Sequence, residues 1–185
     1  MKKVFFKGQE LVEVSLQLST TTPRWQDDPH PSEIYGFFQG QGSDSILLAY
    51  FQLDFLNVND PYRAFTSPNQ VLDRDQPVIW IDKLYKEGNP QPDGTVKTTE
   101  LKGAGFHTTA FALQRSRELG IEGRIACLPC YGSGQKWLNY GFRPVDGMSE
   151  EDFLERSKLD GDAGQYAILH DTSKAERIIQ EHFTP

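Results

Sequence analysis

A chain of 185 residues is long enough to bury one sizeable core and not clearly long enough for two. Its 26 acidic and 19 basic side chains leave a net charge of −7. That field argues against a nucleic-acid backbone or an anionic membrane as the main partner and suits an amine-bearing substrate better.

The residues from 3 to 19 alternate in places around the turn Lys7-Gly8-Gln9 and predict a strand or hairpin. Residues 20–33, with three prolines and His30 between two of them, read as a loop. Ile34 to Gln39 and Ser45 to Leu56 follow as two strands around Gly40-Gln41-Gly42-Ser43. After a proline- and asparagine-bearing connection, Pro77 to Tyr85 has the β-branched and aromatic content of a central strand. The span Gly88 to Gly94 is a turn or excursion, and Thr95 to Leu101 reads as a further strand. A helix is expected from Phe106 to Leu119, stopped by Gly120, with Phe106, Ala110 and Leu113 inward and Arg115 and Glu118 outward. Then come a short buried strand (124–129), a short helix (135–140), the segment Phe142 to Val145 and a helix begun by Ser149. A strand over 165–170 and a last helix over 174–183 complete the chain. A strand, a glycine turn, a helix and a second strand in close succession suggest a βαβ unit.

The stretch Leu101-Lys102-Gly103-Ala104-Gly105-Phe106-His107-Thr108 carries the most chemistry. A glycine turn feeding a helix start aims several unpaired N–H groups, and the positive end of the helix dipole, at one point. That arrangement suits a phosphate or pyrophosphate. Gly103 and Gly105 would allow positive φ and close approach of a ligand. Cys127 and Cys130 are spaced like a redox or zinc pair but lack the further ligands zinc needs, so Cys127 is expected in the core. Two cysteines also exclude a disulfide framework, and the apolar runs Val4-Phe5-Phe6 and Ile46 to Phe51 are too short for a signal peptide or a membrane span. A reducing cytoplasm is the expected location.

Lys102 to His107, the helix ending Arg117-Glu118-Leu119-Gly120-Ile121, the strand 124–129 and the closing Trp137-Leu138-Asn139-Tyr140-Gly141-Phe142 together resemble the GNAT superfamily of acyl-CoA-dependent N-acyltransferases. The likeness covers residues 78–143, with 1–75 as a divergent β-rich part of the same domain. It implies a mixed α/β (α+β) fold with a splayed, mostly antiparallel sheet flanked by helices. It also implies acetyl-CoA or another acyl-CoA as cosubstrate, with direct acyl transfer to an amine in a ternary complex. Lys102, Gly103, Ala104, Gly105, Phe106, His107 and Thr108 would then hold the pyrophosphate, and Leu84 and Tyr85 the pantetheine arm. The partners so implied are acyl-CoA and a small-molecule or protein amine, without nucleic acid or membrane; a homodimer stays open.

The chain departs from the family at several positions. His107 stands where Gly or Ala is usual, and contributes a hydrogen bond or blocks the pocket. Trp137 stands where a tyrosine often protonates the leaving thiolate, which indole cannot do. Either 87–101 is an inserted hairpin, making Asp82 the nearest base, or 95–101 is the strand before the loop, making Glu100 the nearest. Asp82 and Tyr140 are the acid/base candidates. These departures also motivate the alternative, a GNAT-like acyl-CoA-binding or interaction module without catalysis.

Overall fold

The computed structural model describes residues 2–7, 10–22, 32–40, 42–56, 77–86, 88–90, 96–98, 101–129, 132–145, 147–159 and 167–182. Four long strands come first: β1 (Lys2–Lys7), β2 (Glu10–Thr22), β3 (Ser32–Gln39) and β4 (Ile46–Leu56). The next are β5 (Val78–Lys86), the short pair β6 (Gly88–Pro90) and β7 (Val96–Thr98), and β8 (Leu101–Lys102). Helix α1 (Ala104–Glu118), β9 (Ile125–Cys127), α2 (Gly134–Asn139), β10 (Phe142–Pro144), α3 (Glu150–Arg156), β11 (Ala167–Leu169) and α4 (Ser173–His182) follow.

One nine-stranded sheet runs in the order β10, β11, β9, β5, β4, β3, β2, β1, β8. Its pairs are antiparallel except β5 with β9, which is parallel and joined through α1. The class is therefore mixed α+β, with a mostly antiparallel sheet flanked by helices, as the sequence implied. The β5–α1–β9 connection is the βαβ unit read from the glycine turn, because parallel neighbours need a crossover.

Strand alternation divides the core. Phe51, Leu53 and Phe55 of β4 and Ile79 and Ile81 of β5 join Ile125 and Cys127 of β9 in the main cluster, with residues of all four helices. Leu56, Val78, Trp80, Ala126 and Ile168 point the other way and form a second cluster that contains no residue of the described helices. Both faces of β5 are thus buried, which explains its unbroken apolar run from Val78 to Ile81. Cys127 is fully buried, as expected; Cys130 lies outside the described residues, as do His30 and Glu100.

Three expectations change. Residues 95–101 do not form one strand: Val96–Thr98 pairs with Gly88–Pro90 in a separate two-stranded sheet, and Leu101–Lys102 pairs with β1. The inserted hairpin is the arrangement found, and β5 is the central strand that precedes the glycine turn. Helix α1 starts at Ala104, so Gly105 lies inside its first turn and, unlike Gly103 at φ 105°, has no positive φ. Arg115 does not point freely to solvent. It grips Glu33 of β3 through Nε at 3.1 Å and Nη2 at 2.7 Å, and donates from Nη1 to Glu118 at 3.0 Å. Tyr35 adds a 2.6 Å hydrogen bond to the same carboxylate. Burial, then this hydrogen bond, raises the Tyr35 phenol well above its ordinary value.

The inward face of α1 also buries His107, Thr108, Thr109 and Ser116, none of which the apolar stripe anticipated. The Thr109 and Ser116 hydroxyls find local partners: Thr109 Oγ1 donates to the Gly105 carbonyl at 2.9 Å, and Ser116 Oγ accepts from the Gly123 N–H at 2.6 Å. Such bonds offset the cost of burying a hydroxyl.

Candidate functional site

The parallel ladder between β5 and β9 is short. It joins Ile79 to Ile125, Trp80 to Ala126 and Ile81 to Cys127, and stops there. Both strands contribute to the break. On the β9 side Pro129 follows two residues later and has no N–H to continue a ladder. On the β5 side, Gln52 of β4 pairs with Lys83 and Leu53 with Ile81, so Asp82 is an extra residue in a β-bulge. The bulge shifts the alternation: Ile81 and Leu84, three residues apart, both pack on the main core. Beyond Asp82, residues 83–86 stay paired to β4 but have no partner strand on the β9 side among the described residues. The sheet opens there as a wedge.

Helix α1 begins at the same end. Its far end is tied to the start of β5, where Ile79 N donates to Arg124 O at 3.0 Å and Arg124 Nε to Pro77 O at 3.1 Å. A 15-residue helix running back from that point is about 22 Å long, and puts its N-terminus toward the open end of the wedge. The N-cap is Gly103, in the left-handed region and without a side chain to accept from the first-turn amides. The helical ladder starts with His107 N donating to Gly103 O at 3.1 Å.

The sequence candidates fall as follows. Lys102 is exposed beside the N-cap, and Ala104 and Gly105 are buried in the first turn. Phe106 is half-buried, with its ring edge-on to Tyr140 at 4.6 Å. His107 is 6 % exposed; its Nδ1–H donates to Gly103 O at 3.0 Å, and its ring lies 5.3 Å from that of His182 on α4. The imidazole thus packs between its own N-cap and α4. Thr108 is fully buried, and its hydroxyl has no hydrogen-bond partner among the described residues. Asp82 is exposed at the bulge. Leu84 is half-buried on the outer half of β5, and Tyr85 is the next residue of that strand.

Tyr140, just after α2, comes directly onto the α1 start. A Cβ added at Gly105 would overlap the Tyr140 ring and hydroxyl. The glycine in the first turn therefore accommodates a phenol of this protein. Phe106 and Trp137 pack edge-on against that phenol, and burial raises its pKa above the ordinary 10.0. Trp137 is 8 % exposed and stacks edge-on with Phe142, as a core residue does.

Sequence reasoning missed Lys174, at the start of α4. Its Nζ lies 5.9 Å over the Phe106 ring and donates to Asn139 O at 2.7 Å. No local motif marks it, because it reaches the α1 start only through the packing of α4 on α1. Among the described residues no group of three or more His, Cys, Asp or Glu side chains could hold a metal ion.

No family model matches the chain, and no curated protein matches it. Among solved structures, the crystal structure of the KacTA–DNA complex is similar, with a TM-score of 0.49 and 11% sequence identity. The match covers 91% of this chain and 99% of that one. That structure is a complex with DNA, which overturns the exclusion of nucleic acid drawn above from charge. A net charge of −7 is a sum over the whole chain and says nothing about any one face. No helix among the described residues is long and apolar enough to cross a membrane.

Proposed function

We propose that the chain is an acyltransferase that takes an acetyl or other acyl group from acyl-CoA and passes it directly to an amine. The observation that carries this reading is the wedge, a parallel strand pair broken at the Asp82 bulge and at Pro129, at the end of the sheet where α1 begins. The resemblance of residues 78–143 to the GNAT superfamily supports it. An amide-bearing pantetheine arm can add as an extra strand to residues 83–86, on the edge away from β4. The N–H groups of the first turn of α1, with Lys102 and Lys174 nearby, suit the diphosphate.

For the chemistry, the attacking amine must be neutral and the leaving thiolate must gain a proton. Asp82, exposed at the bulge, is assigned as proton acceptor. Tyr140, held protonated by burial, is assigned as donor. A backbone N–H in the opened stretch of β5 would stabilise charge on the thioester oxygen.

Calorimetric titration with acetyl-CoA, paired with thermal unfolding, tests the reading. At ligand about 100 times Kd, a one-site ligand adds about 2.7 kcal/mol of stability. For a chain of this size that is a rise of about 5–10 °C in Tm. No heat and no shift at millimolar acetyl-CoA refutes it. Binding without thiol release over a range of amines favours the second reading, a non-catalytic acyl-CoA-binding module, which the buried Trp137 in place of a tyrosine motivates.

A further inference from the structure

We infer that the Thr108 hydroxyl binds the pantetheine arm of the acyl-CoA, through a hydrogen bond to one of the arm's oxygens. The inference rests on the acyl-transfer reading. Thr108 is 0 % exposed, and its Oγ1 has no hydrogen-bond partner among the described residues. A buried hydroxyl left without a partner is costly, and each such group in a native fold calls for an explanation. A local partner was within reach. The next residue, Thr109, donates from Oγ1 to the carbonyl of Gly105, one turn back, at 2.9 Å. Thr108 makes no such bond to Ala104, so its hydroxyl is directed elsewhere.

The position on α1 gives the direction. Thr108 lies on the stripe of Ala104 and Ala112, both buried in the main cluster. Beside that stripe Phe111 packs edge-on against Tyr35 of β3 and Phe51 of β4, and Arg115 reaches Glu33 of β3, so the stripe faces the sheet. Side chains of a helix lean toward its N-terminus, here the open end of the wedge. From Glu118, at the end of α1 nearest the start of β5, the helix runs back about 15 Å to Thr108. That is about four or five residues of strand beyond Ile79, level with Lys83 and Leu84. There β5 has no strand on its β9 side among the described residues, and Leu84, on the α1 face, is only half-buried. The gap is the way to the hydroxyl, and an arm laid beside residues 83–86 passes under Thr108. This contact differs from the diphosphate one that the resemblance implies for the same residue.

The test uses Thr108→Val and Thr108→Ser in the full chain, with acetyl-CoA and with ADP, which carries a diphosphate but no pantetheine arm. Thr108→Val keeps the shape and removes the hydroxyl. It should weaken acetyl-CoA binding about three- to tenfold in calorimetric titration, while the ADP Kd changes by less than about twofold. Without ligand its urea midpoint should equal or exceed that of the parent, because a buried hydroxyl without a partner has gone. Thr108→Ser should bind acetyl-CoA within about twofold of the parent. A lower urea midpoint for Thr108→Val would mean that the hydroxyl is used within the fold, and an unchanged acetyl-CoA Kd that the ligand does not reach it. Equal weakening of acetyl-CoA and ADP would put the contact at the phosphates. Each of these overturns the inference and leaves the acyl-CoA reading standing. Failure of the parent chain to bind acetyl-CoA ends both.

Discussion

Replacing Gly105 by alanine tests the contact on which the geometry of the α1 start depends. In an ordinary helix the change is favourable by about 0.5–1 kcal/mol, because glycine loses more backbone entropy on folding. Here the added methyl would overlap the Tyr140 ring. That ring is flanked edge-on by Phe106 at 4.6 Å and by Trp137 at 5.6 Å, so it has little room to withdraw. Forcing a methyl into such a contact costs about 1–3 kcal/mol. The net expectation is a loss of about 1–2 kcal/mol, or a fall of about 2–8 °C in Tm. In a Tyr140→Ala background the same substitution meets no ring, and its sign should reverse to a gain of about 0.5–1 kcal/mol. Urea unfolding of the four proteins in this cycle gives a coupling energy of about 1.5–3 kcal/mol if the contact is as described. Equal stability of Gly105→Ala and the parent, or effects that simply add, would refute the packing of Tyr140 on the helix start.

Other outcomes follow from the same contacts. Arg115→Gln removes the guanidinium that bridges Glu33 and leaves a largely buried carboxylate, at a cost of about 2–3 kcal/mol in urea unfolding; a change below about 0.5 kcal/mol would mean that the pair does not tie β3 to α1. Gly103→Ala at φ 105° should cost about 1–2 kcal/mol and weaken acetyl-CoA binding in the same titration, whereas unchanged affinity would remove the N-cap from the proposed site. Ser149 caps α3 by accepting from Asp152 N at 3.1 Å, so Ser149→Ala should cost about 1 kcal/mol in the same assay. Glu176 has its carboxyl lowered below 4.5 by its hydrogen bonds from Arg117. A lowered carboxyl contributes stability that is complete above its unfolded value and is lost as pH falls through the folded one. Glu176→Gln should therefore cost under about 1 kcal/mol at pH 7, given the exposure of the pair, and nothing at pH values well below 4.5; an equal cost at both would refute the ion-pair account.

Much of this protein was legible locally. The pairing of β1 with β2, the alternation in 45–56, the buried run at Val78 and the stop at Gly120 are set by turn chemistry and by side-chain period, which act between near neighbours. The glycine turn before α1 was visible for the same reason, as was the helix-capping Ser149. Everything that makes the candidate site depends on contacts between residues distant in the chain. The bulge at Asp82 exists only as a mismatch with the register of β4, and the wedge only as the end of pairing with β9, more than forty residues later. Gly105 looked like a residue kept small for a ligand, and packing shows that Tyr140, from beyond the next strand, uses that space. Lys174 reaches Phe106, and Arg115 reaches Glu33. Local sequence sets backbone preference and which residues seek burial; which of those residues meet is decided by the pairing of strands and the packing of helices on them.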